Sequence, residues 1–194
     1  MRFDNTLVSE KLTHWEKNLE SYQLPRWELL PDLGLYMEQV VTLLKTYLSY
    51  LPAEEADPVI TPAAINNYVR KKIMPMPVKK KYYRSHIAYL VMICTLKQSL
   101  TIPTLSELIP NDIPEEEVKG IYTSYRNRHR IASEYFIEQV RIIASPILHH
   151  DESRAAASVD DANDLITTYA VLSGLSGLLA EKLILLGRGD DKAE

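Results

Sequence analysis

Apolar residues recur at helical spacing along most of the chain. Between Met37 and Leu51 they follow one another at steps of three and four, which is the stripe of an amphipathic helix that ends before Pro52. Strand-like alternation never continues for more than a few residues. The pattern predicts an all-α protein, with further helices over about 5–22, 61–73, 85–100, 104–109, 114–145 and 158–186.

Prolines and capping residues divide the chain into segments. Thr61 followed by Pro62 marks a helix start, with threonine as N-cap and proline in the first turn. Pro75 and Pro77 end that helix. The next residues, 78–83, are too few for another helix, so we expect an extended arm or a small hairpin, which would form a small β wing. The predicted organisation is an N-terminal helix (1–23), a central domain (24–112) and a C-terminal helical region (113–194).

The C-terminal region contains two long predicted helices with different surfaces. A heptad-like seam in the first helix consists of Val118, Tyr122, Tyr125, His129, Ala132, Phe136, Gln139 and Ile143. The second helix is rich in small residues over 162–180, which let another helix approach closely. The two helices predict a C-terminal helical hairpin. They either pack on each other within one chain or form the interface of a homodimer.

Charge is distributed unevenly along the chain. The formal net charge is -4, yet residues 58–106 contain eight Lys and Arg and no Asp or Glu. Six of these cations lie in the stretch "YVRKKIMPMPVKKKYY", residues 68–83. A concentrated basic segment in an acidic protein predicts a polyanion as partner. The other interpretation is a solvated face with acidic neighbours folded close by.

A helical wheel of 61–73 separates two faces. One side, the predicted core face, contains Ile65, Tyr68, Val69 and the stem of Lys72. The opposite side contains Asn66, Asn67, Arg70 and Lys71. Asn can pair bidentately with adenine, and Arg or Lys can pair with guanine O6 and N7 in the major groove. These four side chains are therefore the predicted base-reading set.

A second set follows the prolines and suits the DNA backbone. Cationic and hydrogen-bonding side chains in an extended arm can hold phosphates. The predicted phosphate-contacting residues are Lys79, Lys80, Lys81, Tyr82, Arg84 and His86. Tyr82 could instead pack the arm onto the core, and His86 could pack at the start of the next helix.

The order of these segments resembles a known DNA-binding module. "ITPAAINNYV", "PVKKKYY" and "HIAYLVMICTLKQSL" follow one another as helix, basic arm and helix. This order is similar to the winged helix-turn-helix of MerR-type proteins, whose basic wing ends in Tyr. With "LPRWELLPDLGLYMEQVV" before them, the stretches more specifically resemble a bacterial family catalogued only as a domain of unknown function, over about 24–110. The resemblance implies a helix-turn-helix-like module and supplies no established activity.

Three features depart from the MerR pattern. Asn66 stands at an Arg position, Lys72 stands at a Gly position, and the wing at 78–84 contains no glycine. Two-residue hairpin turns favour glycine or asparagine because their central residues have positive φ. We therefore expect that a tight turn based on glycine is not available to the wing.

Two binding functions remain open. The first is a sequence-specific DNA-binding transcriptional regulator, with about 61–73 in the major groove, the wing at 78–84 on phosphates, and a homodimer formed through the C-terminal helices. The alternative is a protein-interaction adaptor whose basic face binds an acidic partner segment.

Enzymatic and membrane functions are not expected. The cluster "HHDE" at 149–152 lacks a spaced ligand partner, and phosphate-binding and nucleophile motifs are absent. We expect no metal, cofactor or catalysis. The single cysteine, Cys94, lies in an apolar run and excludes an internal disulfide. Without a signal peptide or an uninterrupted membrane-length apolar run, the expected location is cytoplasmic.

Overall fold

The computed structural model describes residues 20–50 and 60–144, together with ten separate positions nearer the termini: 13, 14, 17, 18, 165, 169, 172, 173, 176 and 177. The chain forms two compact units. One unit is residues 24–129, and the other joins residues 1–23 to residues 130–194. The predicted helices over 5–22 and 158–186 lie largely outside the described residues, and the positions described within them are helical except at Tyr22.

The regular elements of the described residues are helices, so the all-α prediction is confirmed. A 3₁₀ turn, Trp27–Leu29, precedes α1 (Met37–Tyr47), α2 (Pro62–Arg70), α3 (Arg84–Leu96), α4 (Ile102–Leu108) and α5 (Glu115–Ile143). Two isolated antiparallel bridges join Leu35 to Tyr82 and Val78 to Lys81. Within the described ranges, no helix combines the length and apolarity needed to cross a membrane.

Helix α3 forms the centre of the 24–129 unit. Every residue from His86 to Cys94 is buried, so this helix is surrounded by protein on all sides. Helix α1 packs against both α3 and α2, and it contributes Val40 and Leu44, which are fully buried. Each such aliphatic side chain contributes about 1.5–3 kcal/mol on burial, so α3 and its neighbours provide a rigid support for the surface loops.

The first half of α5 packs on the same unit. Tyr122 donates a hydrogen bond to the Pro25 carbonyl (2.8 Å), and Arg126 Nε donates one to the Leu24 carbonyl (2.7 Å). These contacts tie α5 to the segment before the 3₁₀ turn. The N-terminal half of the predicted seam therefore packs within one chain, with Val118 and Tyr122 buried and Tyr125 and His129 half-buried. The compact unit continues past the predicted boundary at residue 112.

The second half of α5 belongs to the other unit and departs from the predicted seam. Ala132 and Phe136 are exposed, whereas Ile137 and Val140 are buried. The buried residues of this half follow one another at steps of three and four, as in an ordinary amphipathic helix, and the last predicted seam position, Ile143, is among them. Val140, Ile143 and Ala144 form a cluster with Leu165, and Tyr169 packs against it.

Candidate nucleic-acid interface

Helix α2 shows the two faces that its sequence predicts. The Thr61 hydroxyl accepts a hydrogen bond from the Ala64 amide (3.0 Å) and caps the helix ahead of Pro62. Ile65 and Tyr68 are buried. On the other side the structure exposes Asn66, Arg70 and Lys71 and leaves Asn67 half-buried. All four predicted base-reading residues therefore reach the surface from one short helix and its C-cap.

Two of these side chains are joined. An Arg70 guanidinium nitrogen donates a hydrogen bond to Asn67 Oδ1 at 2.8 Å, one helical turn apart. This bond limits the freedom of the Arg70 side chain. It also occupies Asn67 Oδ1, the acceptor that a bidentate contact from Asn67 to adenine would need.

Helix α2 ends earlier than predicted, at Arg70, in a Schellman motif. The Ile73 amide donates to the Tyr68 carbonyl (3.1 Å), and the Lys72 amide donates to the Val69 carbonyl (3.0 Å). The motif requires a left-handed residue after the C-cap, which is usually glycine. Here it is Lys72, with φ 57°. Lys72 thus adopts the backbone conformation that glycine usually supplies at this position, while its side chain is exposed.

A tight two-residue turn lies between α2 and α3. Val78 and Lys81 exchange both backbone hydrogen bonds, at 3.0 and 2.9 Å. The central residues, Lys79 and Lys80, have φ 50° and 64°, as in a type I′ hairpin turn. We call residues 78–81 the basic turn. The wing therefore forms a small hairpin without glycine, because two lysines adopt the left-handed conformation instead.

The basic turn is anchored to the core through Tyr82. Tyr82 exchanges both backbone hydrogen bonds with Leu35, each 2.8 Å long. Its side chain is 3% exposed. Tyr82 therefore packs the turn onto the unit, and its burial removes it from the predicted phosphate-contacting set.

Arg84 is also engaged internally. Its Nε donates to the Leu30 carbonyl (3.1 Å), and its terminal nitrogen lies 3.6 Å from the Asp32 carboxylate. The guanidinium also lies 6.0 Å from the centre of the Trp27 ring. Arg84 fastens the 27–32 segment to the start of α3, so it is a structural residue rather than a free phosphate contact.

His86 is buried, with 6% of its surface exposed. The Tyr83 amide donates to Nδ1 at 3.1 Å, so the ring proton lies on Nε2, which donates to the Met76 carbonyl at 3.1 Å. Both ring nitrogens are therefore occupied by protein. His86 lies outside the surface that a phosphate can reach, which corrects its predicted role.

Five of the predicted cations remain exposed or half-exposed after these corrections, and the exposed Lys72 adds a sixth. Among the described residues none of them lies within ion-pair distance of a carboxylate. They are Arg70, Lys71, Lys72, Lys79, Lys80 and the half-buried Lys81. Lys81 Nζ lies 5.3 Å from the centre of the Tyr36 ring. Sequence reasoning missed Lys72, because the predicted helix placed it on the core side.

Comparison with known proteins identifies the 24–129 unit. The chain matches the model of a family described as a domain of unknown function, DUF1836, over residues 25–126. This match covers more than half of the chain. The chain belongs to the DUF1836 family. No curated protein and no solved structure matches it.

The limits of the DUF1836 match agree with the packing. The match ends at residue 126, within α5, and the compact unit ends at residue 129. The DUF1836 module therefore contains the first half of α5 as well as α1 to α4. The six cations all lie inside the module, from Arg70 at the end of α2 to Lys81 shortly before α3.

A cluster of polar side chains joins α5 to α3 and to the residues after α1 in the 24–129 unit. The Tyr50 hydroxyl lies 2.9 Å from His129 Nε2, and the Tyr125 hydroxyl is hydrogen-bonded to the Thr95 hydroxyl. Burial raises the pKa of Tyr50 and Tyr125 and lowers the pKa of His129. Neutral side chains are favoured throughout this cluster, which fits a packing role that ties α5 to the residues after α1.

Two further observations concern chemistry. Burial raises the pKa of the Cys94 thiol to about 12, so this thiol is protonated at neutral pH. Among the described residues there is no group of three or more His, Cys, Asp or Glu side chains that could hold a metal ion. The predicted "HHDE" cluster at 149–152 lies outside the described residues.

Proposed function

We propose that this chain is a transcriptional regulator that binds double-stranded DNA in a sequence-dependent way. In this proposal α2 with its C-cap reads bases in the major groove and the basic turn contacts phosphates. The observation that carries the proposal is the set of six accessible cations without carboxylate partners among the described residues. A surface of this kind attracts a polyanion because each phosphate contact releases condensed counterions.

The backbone conformations of three of these lysines add support. Lys72, Lys79 and Lys80 all have positive φ, which costs an L residue about 1–2 kcal/mol. Strained residues of this kind persist where the surrounding structure fixes them, and they cluster at functional sites. These three lysines lie in short, hydrogen-bonded turns, so their positions on the backbone are fixed. A fixed set of ammonium groups suits a fixed arrangement of phosphates.

The order of elements favours a MerR-like arrangement within the proposal. Helix α2, the basic turn, the central helix α3 and the short helix α4 follow in the order of a winged helix-turn-helix. The turn and its bridge from Leu35 to Tyr82 stand where the wing would be. The proposal also includes a cytoplasmic location, in which the regulator meets its DNA.

The charge part of the proposal is tested by salt dependence. We measure binding of a labelled random duplex by fluorescence anisotropy between low and moderate salt. Neutralisation of about five phosphates gives a slope of about −4.5 in log K against log salt. A slope near zero would contradict the proposal.

Matched variants locate the contact. The double variant Lys79→Asn/Lys80→Gly installs the pair that type I′ turns prefer, so it keeps the turn and removes two charges. It should flatten the salt slope by about two units. The control, Lys45→Gln/Lys119→Gln, removes two charges outside the basic segment and should leave the slope unchanged.

Base reading is tested separately with duplexes selected from a random pool. Arg70→Ala should relax the preference at one position by about 1–3 kcal/mol. The same loss on every duplex, selected or random, would show that Arg70 contacts phosphate only. Asn66→Ala, Asn67→Ala and Lys71→Ala extend the test to the other three predicted readers.

The adaptor alternative is favoured by a different observation. Apolar side chains beside the basic turn are exposed, with Met76 at 76% and Val78 at 54%. A mixture of exposed apolar groups and cations suits a protein partner with an acidic segment. A gel shift with random duplex at rising salt discriminates the two functions, since the adaptor predicts no shift and tight binding to a poly-glutamate peptide.

The proposed regulator acts as a homodimer through its C-terminal helices, because one half-site gives limited affinity. The second half of α5 exposes Ile131 (58%) and Tyr135 (67%), one turn apart. Light scattering should report a dimer for the full chain and a monomer for Ile131→Lys/Tyr135→Lys. A wild-type monomer at assay concentration would contradict this part of the proposal.

A further inference from the structure

We infer that the buried His86 is a positioning residue that holds the basic turn in the conformation in which its lysines meet a polyanion. The expected effect of His86 on polyanion binding rests on the proposed function. Its structural part concerns only the hydrogen bonds and packing around the imidazole.

The imidazole joins both sides of the basic turn. Nε2 donates to the carbonyl of Met76, which precedes the turn, and Nδ1 accepts from the amide of Tyr83, which follows it. Two rings border it as well, since the centres of the Tyr82 and Tyr83 rings lie 5.8 and 6.3 Å from that of His86. A single buried side chain therefore fixes the two chain segments between which residues 78–81 turn.

The turn needs such support because its own sequence opposes it. Lys79 and Lys80 are both left-handed, whereas type I′ turns favour asparagine and glycine at these positions. Two-stranded hairpins are marginal in water even with favourable turns. The Val78–Lys81 bonds cannot therefore be expected to hold the turn alone, and the contacts of His86 and of Tyr82 supply the remaining constraint.

Helix α1 of the same module shows that a glutamine can form the kind of cap that His86 forms at α3. In α1, Gln39 Oε1 accepts from the Tyr36 amide at 2.9 Å, three residues before it. His86 and Tyr83 repeat this spacing at the start of α3. His86→Gln can therefore keep the cap to Tyr83, whereas His86→Ala loses the cap, the bond to Met76 and the ring packing.

Hydrogen exchange tests the structural part directly. The reporters are the amides of Lys81 and Tyr82, which bond to Val78 and Leu35. In His86→Ala these amides should exchange about 10- to 100-fold faster, the effect of losing two net hydrogen bonds. His86→Gln should fall between Ala and wild type. Exchange at Ile65 and Leu44 in α2 and α1 should stay within about threefold of wild type.

Duplex binding tests the functional part. His86→Ala keeps all six cations, so we expect binding about tenfold weaker with an unchanged salt slope, because only the fraction of competent turn falls. Lys79→Asn/Lys80→Gly should show the reverse, with a flatter slope and slower exchange at Lys81. The two variants thus separate position from charge.

Several results would contradict either the role of His86 or the proposed function. Equal loss of protection at Lys81, Ile65 and Leu44 would overturn the inference, because His86 would then support the whole module. Unchanged duplex affinity in His86→Ala, with wild type binding, would overturn the positioning role. If wild type binds no duplex, the proposed function fails, and unchanged exchange at Lys81 would still overturn the claim that His86 holds the turn.

Discussion

The left-handed lysine after α2 provides the sharpest test of how this surface is built. Lys72 has φ 57°, and its neighbour Lys71, the C-cap, has φ -81°. Both are exposed lysines at the end of one helix. Replacing each in turn by glycine removes the same charge and adds the same chain entropy, so only the backbone conformation distinguishes the two variants.

The expected magnitude follows from that comparison. A left-handed conformation costs an L residue about 1–2 kcal/mol, and glycine loses about 0.5–1 kcal/mol more entropy on folding. Lys72→Gly removes the first cost and adds the second, so it should be neutral to stabilising by about 1 kcal/mol. Lys71→Gly adds only the second and should destabilise. The difference in unfolding free energy should be about 1–2 kcal/mol.

Urea unfolding monitored by circular dichroism measures this difference. The Lys72 amide and the Ile73 amide keep their bonds to Val69 and Tyr68 in either variant, so the slopes of the two unfolding curves should agree. Equal midpoints, or a higher midpoint for Lys71→Gly, would refute the assignment of strain to Lys72. Both variants should also weaken duplex binding and flatten the salt slope by about one unit.

Three further predictions concern the support of this surface. A methyl group on Gly34 would come within 2.9 Å of Lys81 Cδ and Tyr83 Cζ, so Gly34→Ala should lower the free energy of unfolding, measured in urea, by about 1–3 kcal/mol. The control, Gly120→Ala, adds a methyl group in open space and should raise the free energy of unfolding by up to about 1 kcal/mol. Burial lowers the pKa of His129, so the stability that the neutral imidazole contributes is present above the pKa of the unfolded state and is lost as pH falls through the pKa of the folded state. In His129→Gln, the urea unfolding midpoint should therefore depend less on pH on the acid side of neutrality. Cys94 should react with a thiol reagent only at the rate of unfolding, because the thiol is buried and protonated; fast native labelling would contradict its burial.

The sequence was sufficient to predict elements whose signals are local. Thr61 and Pro62 fix the start of α2, and the spacing of Ile65 and Tyr68 fixes its buried face. The apolar run of α3 predicts a buried helix, although its continuous burial comes from helices packed on several sides. These features depend on residues within one or two turns of each other, which is the range over which periodicity is informative.

The features that sequence reasoning missed depend on partners elsewhere in the chain. Glycine-based turn rules gave no reason to expect a type I′ conformation at Lys79 and Lys80, because the constraint comes from Leu35 and His86. The N3 position of His86 relative to Tyr83 was a usable signal, since glutamine at that position forms a capping box. A heptad rule applied over 118–143 failed at Phe136 because the second half of α5 belongs to the other unit, where its buried face is set by distant residues such as Leu165.

Strain in the basic turn and binding of a polyanion should be energetically linked. Two left-handed lysines cost about 2–4 kcal/mol together, and each hydrogen bond that opposes this cost contributes about 0.5–1.5 kcal/mol net. The bonds of the turn and of His86, together with the burial of Tyr82, offset this cost, and an anion that needs Lys79 and Lys80 in place stabilises the turn further. Duplex should slow exchange of the Lys81 amide more in wild type than in Lys79→Asn/Lys80→Gly, where the turn is already favoured. Equal slowing in both proteins would show that binding and turn formation are independent.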